Sequence, residues 1–237
     1  KMRTNAAKQS VLALAVVVLS STSVAQKLSG DPSLVPMYGG MDRQSDPVLK
    51  GADDALIEGT TKEFGSRNSA SRRFTDAGFR YYFRNDLGTA MRRFNQGWLL
   101  DPNNPDVFYG FMAVLNDRDM HCDARQMAEK AFELGLEKSA ETLADAGREY
   151  ALCAMQDTTL DDSTKTAYTK RSSEYFTEAL ILKPNSPYVY GHWASAAYRL
   201  GHYPAAWDYV ALQRKYGGKP AKQFLKLLRA KMPEPRR

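Results

Sequence analysis

Histidine and cysteine are scarce in this chain, three and two among 237 residues, and that scarcity narrows its chemistry. His121 stands beside Cys122, but no second ligand pair falls at metal spacing, so no metal is expected. The motifs that carry catalysis are missing too. There is no GxSxG elbow, no HExxH pair, no phosphate-cradling loop and no dinucleotide fingerprint, which speaks for a protein that is not an enzyme and needs no cofactor. The paired acids Asp53-Asp54 and Asp161-Asp162 read as solvated helix and loop charges. The nine apolar residues from Val11 to Leu19 fall well short of the ~20 that cross a bilayer, so no stable membrane insertion is expected. Charge is not lopsided: the formal net is +6, too modest in an exported chain to point to nucleic acid.

That apolar run has the setting of an export signal. Lys1, Arg3 and Lys8 precede it, polar Ser20-Ser21-Thr22-Ser23 follows, and Ser23-Val24-Ala25 supplies small residues where a signal peptidase reads. Residues 1–25 are therefore expected to be removed after Ala25, with a Gram-negative periplasm as the destination. Residues 26–46, which hold a small apolar group (Leu34, Val35, Met37, Tyr38) but no helical period, read as a flexible extension. That group could alternatively pack on the first repeats or cover part of a groove.

From Phe74 onward the pattern repeats. Phe74, Ala77-Gly78 and Tyr81 share one helical face, a turn falls at Asn85-Asp86, and Ala90, Phe94 and Gly97 share the next. Small residues let two helix backbones approach, and aromatics fill the space where they diverge. Phe108, Phe111, Leu115, Ala124, Ala128 and Ala131 keep the same offsets, with Ala124 lying 34 residues after Ala90. Leu143, Ala146, Gly147 and Tyr150 pair with Phe176, Ala179 and Pro184 in a third unit, and Tyr190, Trp193, Ala194, Ala197 and Ala206 form a fourth. Ala90 to Ala206 is 116 residues, three periods of 34 with 14 over, and Pro102 to Pro184 carries the same surplus. One insertion is therefore expected near 156–165. Asp46-Pro47, Asn104-Pro105 and Ser186-Pro187 each put a capping oxygen before a first-turn proline.

This pattern resembles the tetratricopeptide repeat, over roughly residues 67–216. The resemblance implies an all-α fold, a right-handed solenoid of antiparallel helix pairs in about four units. A leading helix at 47–66 precedes them, and a basic capping helix and tail at 217–237 follow. The predicted helices are 47–63, 67–84, 86–100, 104–117, 120–134, 138–155, 163–182, 187–200, 203–215 and 219–232. The final stretch, Arg214 to Arg237, has nine Lys or Arg and one Glu; it reads as a cap with one solvated face, the alternative being attraction to an acidic surface. Cys122 and Cys153 fall at neighbouring ends of successive helices. In an oxidising compartment they are expected to form a bridge, which would stabilise by roughly 3–4 kcal/mol through lost chain entropy; the alternative is two buried free thiols.

In proteins of this type the first helix of each pair lines a concave face that meets peptides. The matching positions here are Arg72, Thr75, Phe79, Tyr82 and Phe83; Tyr109, Ala113, Asn116 and Asp117; Arg148; and Tyr188, His192, Ser195, Tyr198 and Arg199. Thr75 and Phe79 stand where chaperone-type relatives place the first Lys and Asn of a carboxylate clamp. An aromatic surface with a few arginines suits an extended peptide or the edge of a folded partner better. The resemblance thus implies an exported, non-enzymatic adaptor for a protein or peptide, in envelope assembly or secretion. The alternative is a periplasmic inhibitor or immunity protein that neutralises one enzyme.

Overall fold

The computed structural model describes residues 30–236. Among them are ten α-helices and no strand: α1 Pro47–Phe64, α2 Arg67–Tyr82, α3 Leu87–Leu100, α4 Pro105–Asp117, α5 His121–Glu133, α6 Ala140–Gln156, α7 Asp162–Leu182, α8 Pro187–Arg199, α9 Tyr203–Lys215 and α10 Lys222–Lys231. Each helix packs on its neighbours in sequence, and α2 with α4 and α6 with α8 also meet across the pairs. The apolar run and cleavage site expected at 1–25 lie outside the described residues.

Local chemistry sets the helix ends. Asp46 accepts from the Val48 and Leu49 amides, Asn104 from Asp106 and Ser186 from Val189, each ahead of a first-turn proline. These side chains satisfy amides that have no partner inside the helix. α6 starts at Ala140 rather than 138 because Ser139 and Thr142 form a reciprocal capping box. α10 begins at Lys222 rather than 219 because Pro220 disfavours helix at the residue before it, and Ala221 is still extended. The insertion is helix more than loop: α6 is four residues longer than α4, and α7 eight longer than α5.

The core is three apolar clusters in series. The first, around Met91, Phe94, Phe108 and Phe111, joins α3 to α4 and meets Phe79 and Tyr81 of α2. The second, around Leu115, Leu143, Tyr150, Tyr175 and Phe176, joins α4 through α8. The third, around Trp207, Val210 and Leu228, seats α10 on α8 and α9, and Trp207 Nε1 donates to the Met232 carbonyl at 3.1 Å.

Phe94 is the tightest point. Its ring is fully buried, with Gly78 of α2 on one side and Gly110 of α4 on the other. A Cβ at either glycine would sit 2.4 and 2.3 Å, respectively, from ring carbon Cε1. Neither position has room for a side chain, so these two glycines let α2 and α4 close on one phenyl ring.

Within the segment read as a flexible extension, residues 31–43 lie against α3 and α1. Two 3-10 turns, Pro32–Leu34 and Pro36–Gly40, bring Val35 and Tyr38 into buried positions. Asn95, wholly buried on α3, holds them. Its amide donates to the Ser33 and Val35 carbonyls at 3.0 and 2.8 Å and accepts from the Tyr38 amide at 3.3 Å. Arg43 lies 4.1 Å above the Tyr38 ring and pairs with Asp53 of α1, while Arg118 donates to the Leu34 carbonyl at 2.5 Å. Met37, Tyr38 and Gly39 have φ of 51°, 54° and 68°; the two side-chain-bearing residues each cost about 1 kcal/mol or more in that left-handed region. The packing around Asn95 offsets that cost. Asn95→Ala should therefore lower stability by about 1–3 kcal/mol and expose residues 30–43 to limited proteolysis. An intact segment after protease treatment would contradict this account.

Candidate functional site

Four helices present one face each to a cavity of about 350 Å³. α2 supplies Phe79 and Tyr82, with Phe83 just beyond its end. α4 supplies Tyr109, Met112, Ala113, Asn116 and Asp117; α6 supplies Asp145, Arg148 and Glu149; α8 supplies Tyr188 and His192. Spacings of three and four residues along each helix put these side chains on one stripe. Phe94 supports the aromatic wall from below: Phe79 meets it edge-on at 5.0 Å between ring centres and lies 6.1 Å from Tyr109.

Asp145 ties the wall together. The Tyr109 hydroxyl donates to its Oδ2 at 2.6 Å and the Tyr188 hydroxyl to its Oδ1 at 2.7 Å, so one carboxylate spans α4, α6 and α8. Arg148, one turn on, donates to Asn116 Oδ1 on α4. Behind them Glu149, buried, pairs with buried His121 of α5 at 2.9 Å. Beside that pair the Cys122 and Cys153 sulfurs lie at disulfide distance, 2.09 Å, fixing α5 to α6.

The environment holds these groups in defined protonation states. Burial, then the Asp145 charge, pushes the Tyr109 and Tyr188 phenols far above their usual range. Burial, then Asp117, pushes Tyr82 up to about 12. All three phenols therefore remain hydrogen-bond donors at neutral pH. Burial pulls His192 below its ordinary value, against the opposing pull of Asp145. Its ring lies tilted against Tyr188, 4.3 Å between centres, and its buried Nδ1, 3.7 Å from Asp145 Oδ1, has no hydrogen-bond partner.

Of the positions taken from the repeat register, Phe79, Tyr82, Phe83, Tyr109, Ala113, Asn116, Asp117, Arg148, Tyr188 and His192 line this cavity. Ser195 lines an adjoining cleft of about 380 Å³, together with Gln213, Lys219 and Phe224. The remaining four lie elsewhere. Thr75 is buried between α2 and α3, its hydroxyl donating to the Ser71 carbonyl at 2.8 Å. Arg72 bonds Asn68 and faces a separate shallow cleft with Glu63 and Asp76. Tyr198 packs against Tyr203 and Phe224, and Arg199 is exposed at the end of α8. Asp145, Met112 and Glu149 join the site without having been singled out in the sequence. Asp145 had a signal, since it sits three residues before Arg148 on the same helical face.

Comparison with known proteins yields no match: neither a protein-family model nor a curated protein aligns with the chain.

The depressed His192 value has a consequence for stability. The unfolded chain binds that proton more readily than the folded one, so stability falls as pH drops below the ordinary histidine value of 6.5. The His192 ring should titrate below 6.5 by NMR. His192→Gln should flatten part of the stability gain between about pH 5 and pH 7. A midpoint at or above 6.5 would contradict the burial argument.

Proposed function

We propose that this chain is an exported, non-enzymatic adaptor of the tetratricopeptide type that holds an extended peptide or a protein edge along the faces of α2, α4, α6 and α8. The observation that carries the proposal is the convergence of the first helices of four successive pairs on one aromatic cavity. Five aromatic side chains there (Phe79, Tyr82, Phe83, Tyr109, Tyr188) offer large, stiff contact area, the kind of surface on which binding energy concentrates. Phe83 is 80 % exposed and Tyr188 40 %, so both rings are open to a ligand at the cavity rim. Antiparallel pairing is supported by contacts between opposite helix ends: Arg67, first in α2, donates to the Leu99 and Leu100 carbonyls that end α3. The right-handed stacking rests on the repeat resemblance. Export is supported by the charged, apolar and small-residue order of residues 1–25 together with the Cys122–Cys153 pair. No helix among the described residues is long and apolar enough to cross a membrane.

Site-specific photocrosslinking tests this reading. A benzophenone side chain at Phe83, on the cavity rim, should trap a discrete partner in the native envelope. The same group at Ile181, equally open at 73 % but on α7 outside the cavity, should not. Tyr82→Ala should weaken capture by roughly thirtyfold, the cost of about 2 kcal/mol at a desolvated contact, with helicity unchanged. Trapping from Ile181 and not from Phe83 would place the interaction on another face.

A further inference from the structure

The central cavity is short of positive charge. Three carboxylates, Asp117, Asp145 and Glu149, face a single guanidinium, Arg148. Arg148 is engaged with Asn116 and lies 3.9 Å from Glu149, and Glu149 is engaged with His121. Among the described residues, neither Asp117 nor Asp145 has a lysine or arginine within the 4.0 Å of an ion pair. The two tyrosine hydroxyls occupy two of the roughly four acceptor positions on Asp145, so acceptor capacity remains. His192 Nδ1 is buried and unpartnered at the same spot.

We infer that this cavity receives a cationic side chain, lysine or arginine, projecting from an extended peptide. The inference rests on the peptide-binding reading above and names the chemistry that the peptide must carry. Aromatic faces attract cations through their ring quadrupoles, and desolvated carboxylates complete such a site. An acidic side chain would add a fourth carboxylate. A neutral apolar one would cover Asp145 and leave its charge with the two tyrosine hydroxyls but no cation, which is costly.

The chain already uses this chemistry internally. Arg125 lies 5.4 and 4.6 Å from the Tyr150 and Tyr168 ring centres and pairs with Glu129. Arg171 lies 4.0 Å over Tyr175 and pairs with Glu174 and Glu178. Arg43 lies over Tyr38 and pairs with Asp53. In each case tyrosine and carboxylate together hold a guanidinium. The cavity presents the same two components with that cation left to the ligand.

The test uses end-blocked nonapeptides identical except at the central residue, which is Arg, Lys, citrulline, norleucine or Glu. Each is titrated into the purified protein and followed by the aromatic resonances of Tyr109, Tyr188 and His192. The Arg and Lys peptides should bind roughly tenfold tighter than the three others, the scale of one desolvated cation–aromatic contact. Asp145→Asn should remove most of that preference. Asp117→Asn, at an exposed position whose packing it leaves alone, should reduce it several-fold, so the idea remains testable if the Asp145 variant folds poorly. Equal binding of the Arg and citrulline peptides, with the cavity resonances shifting, would overturn the cationic assignment and leave the groove reading standing. A tighter Glu peptide would do the same. If no peptide of any charge moves a cavity resonance, both readings fall. If arginine amide alone binds as tightly as the Arg peptide, the ligand is a small cation and the peptide source is wrong.

Discussion

One phenyl ring between two glycines governs the first half of this molecule. Phe94 enters from α3, and Gly78 and Gly110 leave room for its ring, since a Cβ at either would fall well inside the ring's contact distance. The consequence reaches the surface. Phe79 sits edge-on against the same ring, and Tyr109, one residue before Gly110, stands beside Phe79. The aromatic wall of the cavity is thus set by how closely α2 and α4 can approach a buried side chain on α3.

The second half adds a polar tie to its own apolar clusters. Asp145 takes the hydroxyls of Tyr109 and Tyr188, joining α4, α6 and α8. The His121–Glu149 pair and the adjacent cysteines anchor α6 from the opposite side. Two carboxylates of α6, each bonded to side chains on other helices, limit the freedom of that helix to shift. Fixing the side chains in this way would reduce the entropy lost in the binding proposed above. No residue of the N-terminal segment lines the cavity, although Arg118, next to Asp117, bonds its Leu34 carbonyl; Asn95 fastens the segment on α3.

Much of the fold was legible because its signals are local. A capping side chain followed by proline marks a helix start wherever it occurs, and Asp46, Asn104 and Ser186 all cap as expected. The recurrence of small residues with a period of 34 predicted where helices approach, and the cysteine pairing followed from which helix ends are neighbours. The cavity was legible in part, because helical spacing assigns a face. Thr75 shows the limit: it shares a helix with Phe79, but its hydroxyl turns to the Ser71 carbonyl inside the α2–α3 contact. Asp145 shows another. Its partners are 36 and 43 residues away, and only tertiary packing brings them together. The insertion was found by counting, yet counting could not tell a longer loop from longer helices. Helix is favoured because Tyr168 and Tyr175 of α7 have Tyr150 and Phe132 to pack against.

The dependence of the site on the Phe94 contact is tested most directly by measuring unfolding free energy for Gly110→Ala, Phe94→Leu and the two combined. Overpacking at a fully buried ring typically costs about 1–3 kcal/mol, so Gly110→Ala should be destabilised by that amount and should shift the Tyr109 and Tyr188 resonances. A smaller side chain at Phe94 should relieve the clash, making the double variant more stable than the sum of the single changes by about 1 kcal/mol or more. A Gly110→Ala protein of unchanged stability, or strict additivity of the two substitutions, would contradict the claim that this contact sets the approach of α2 and α4.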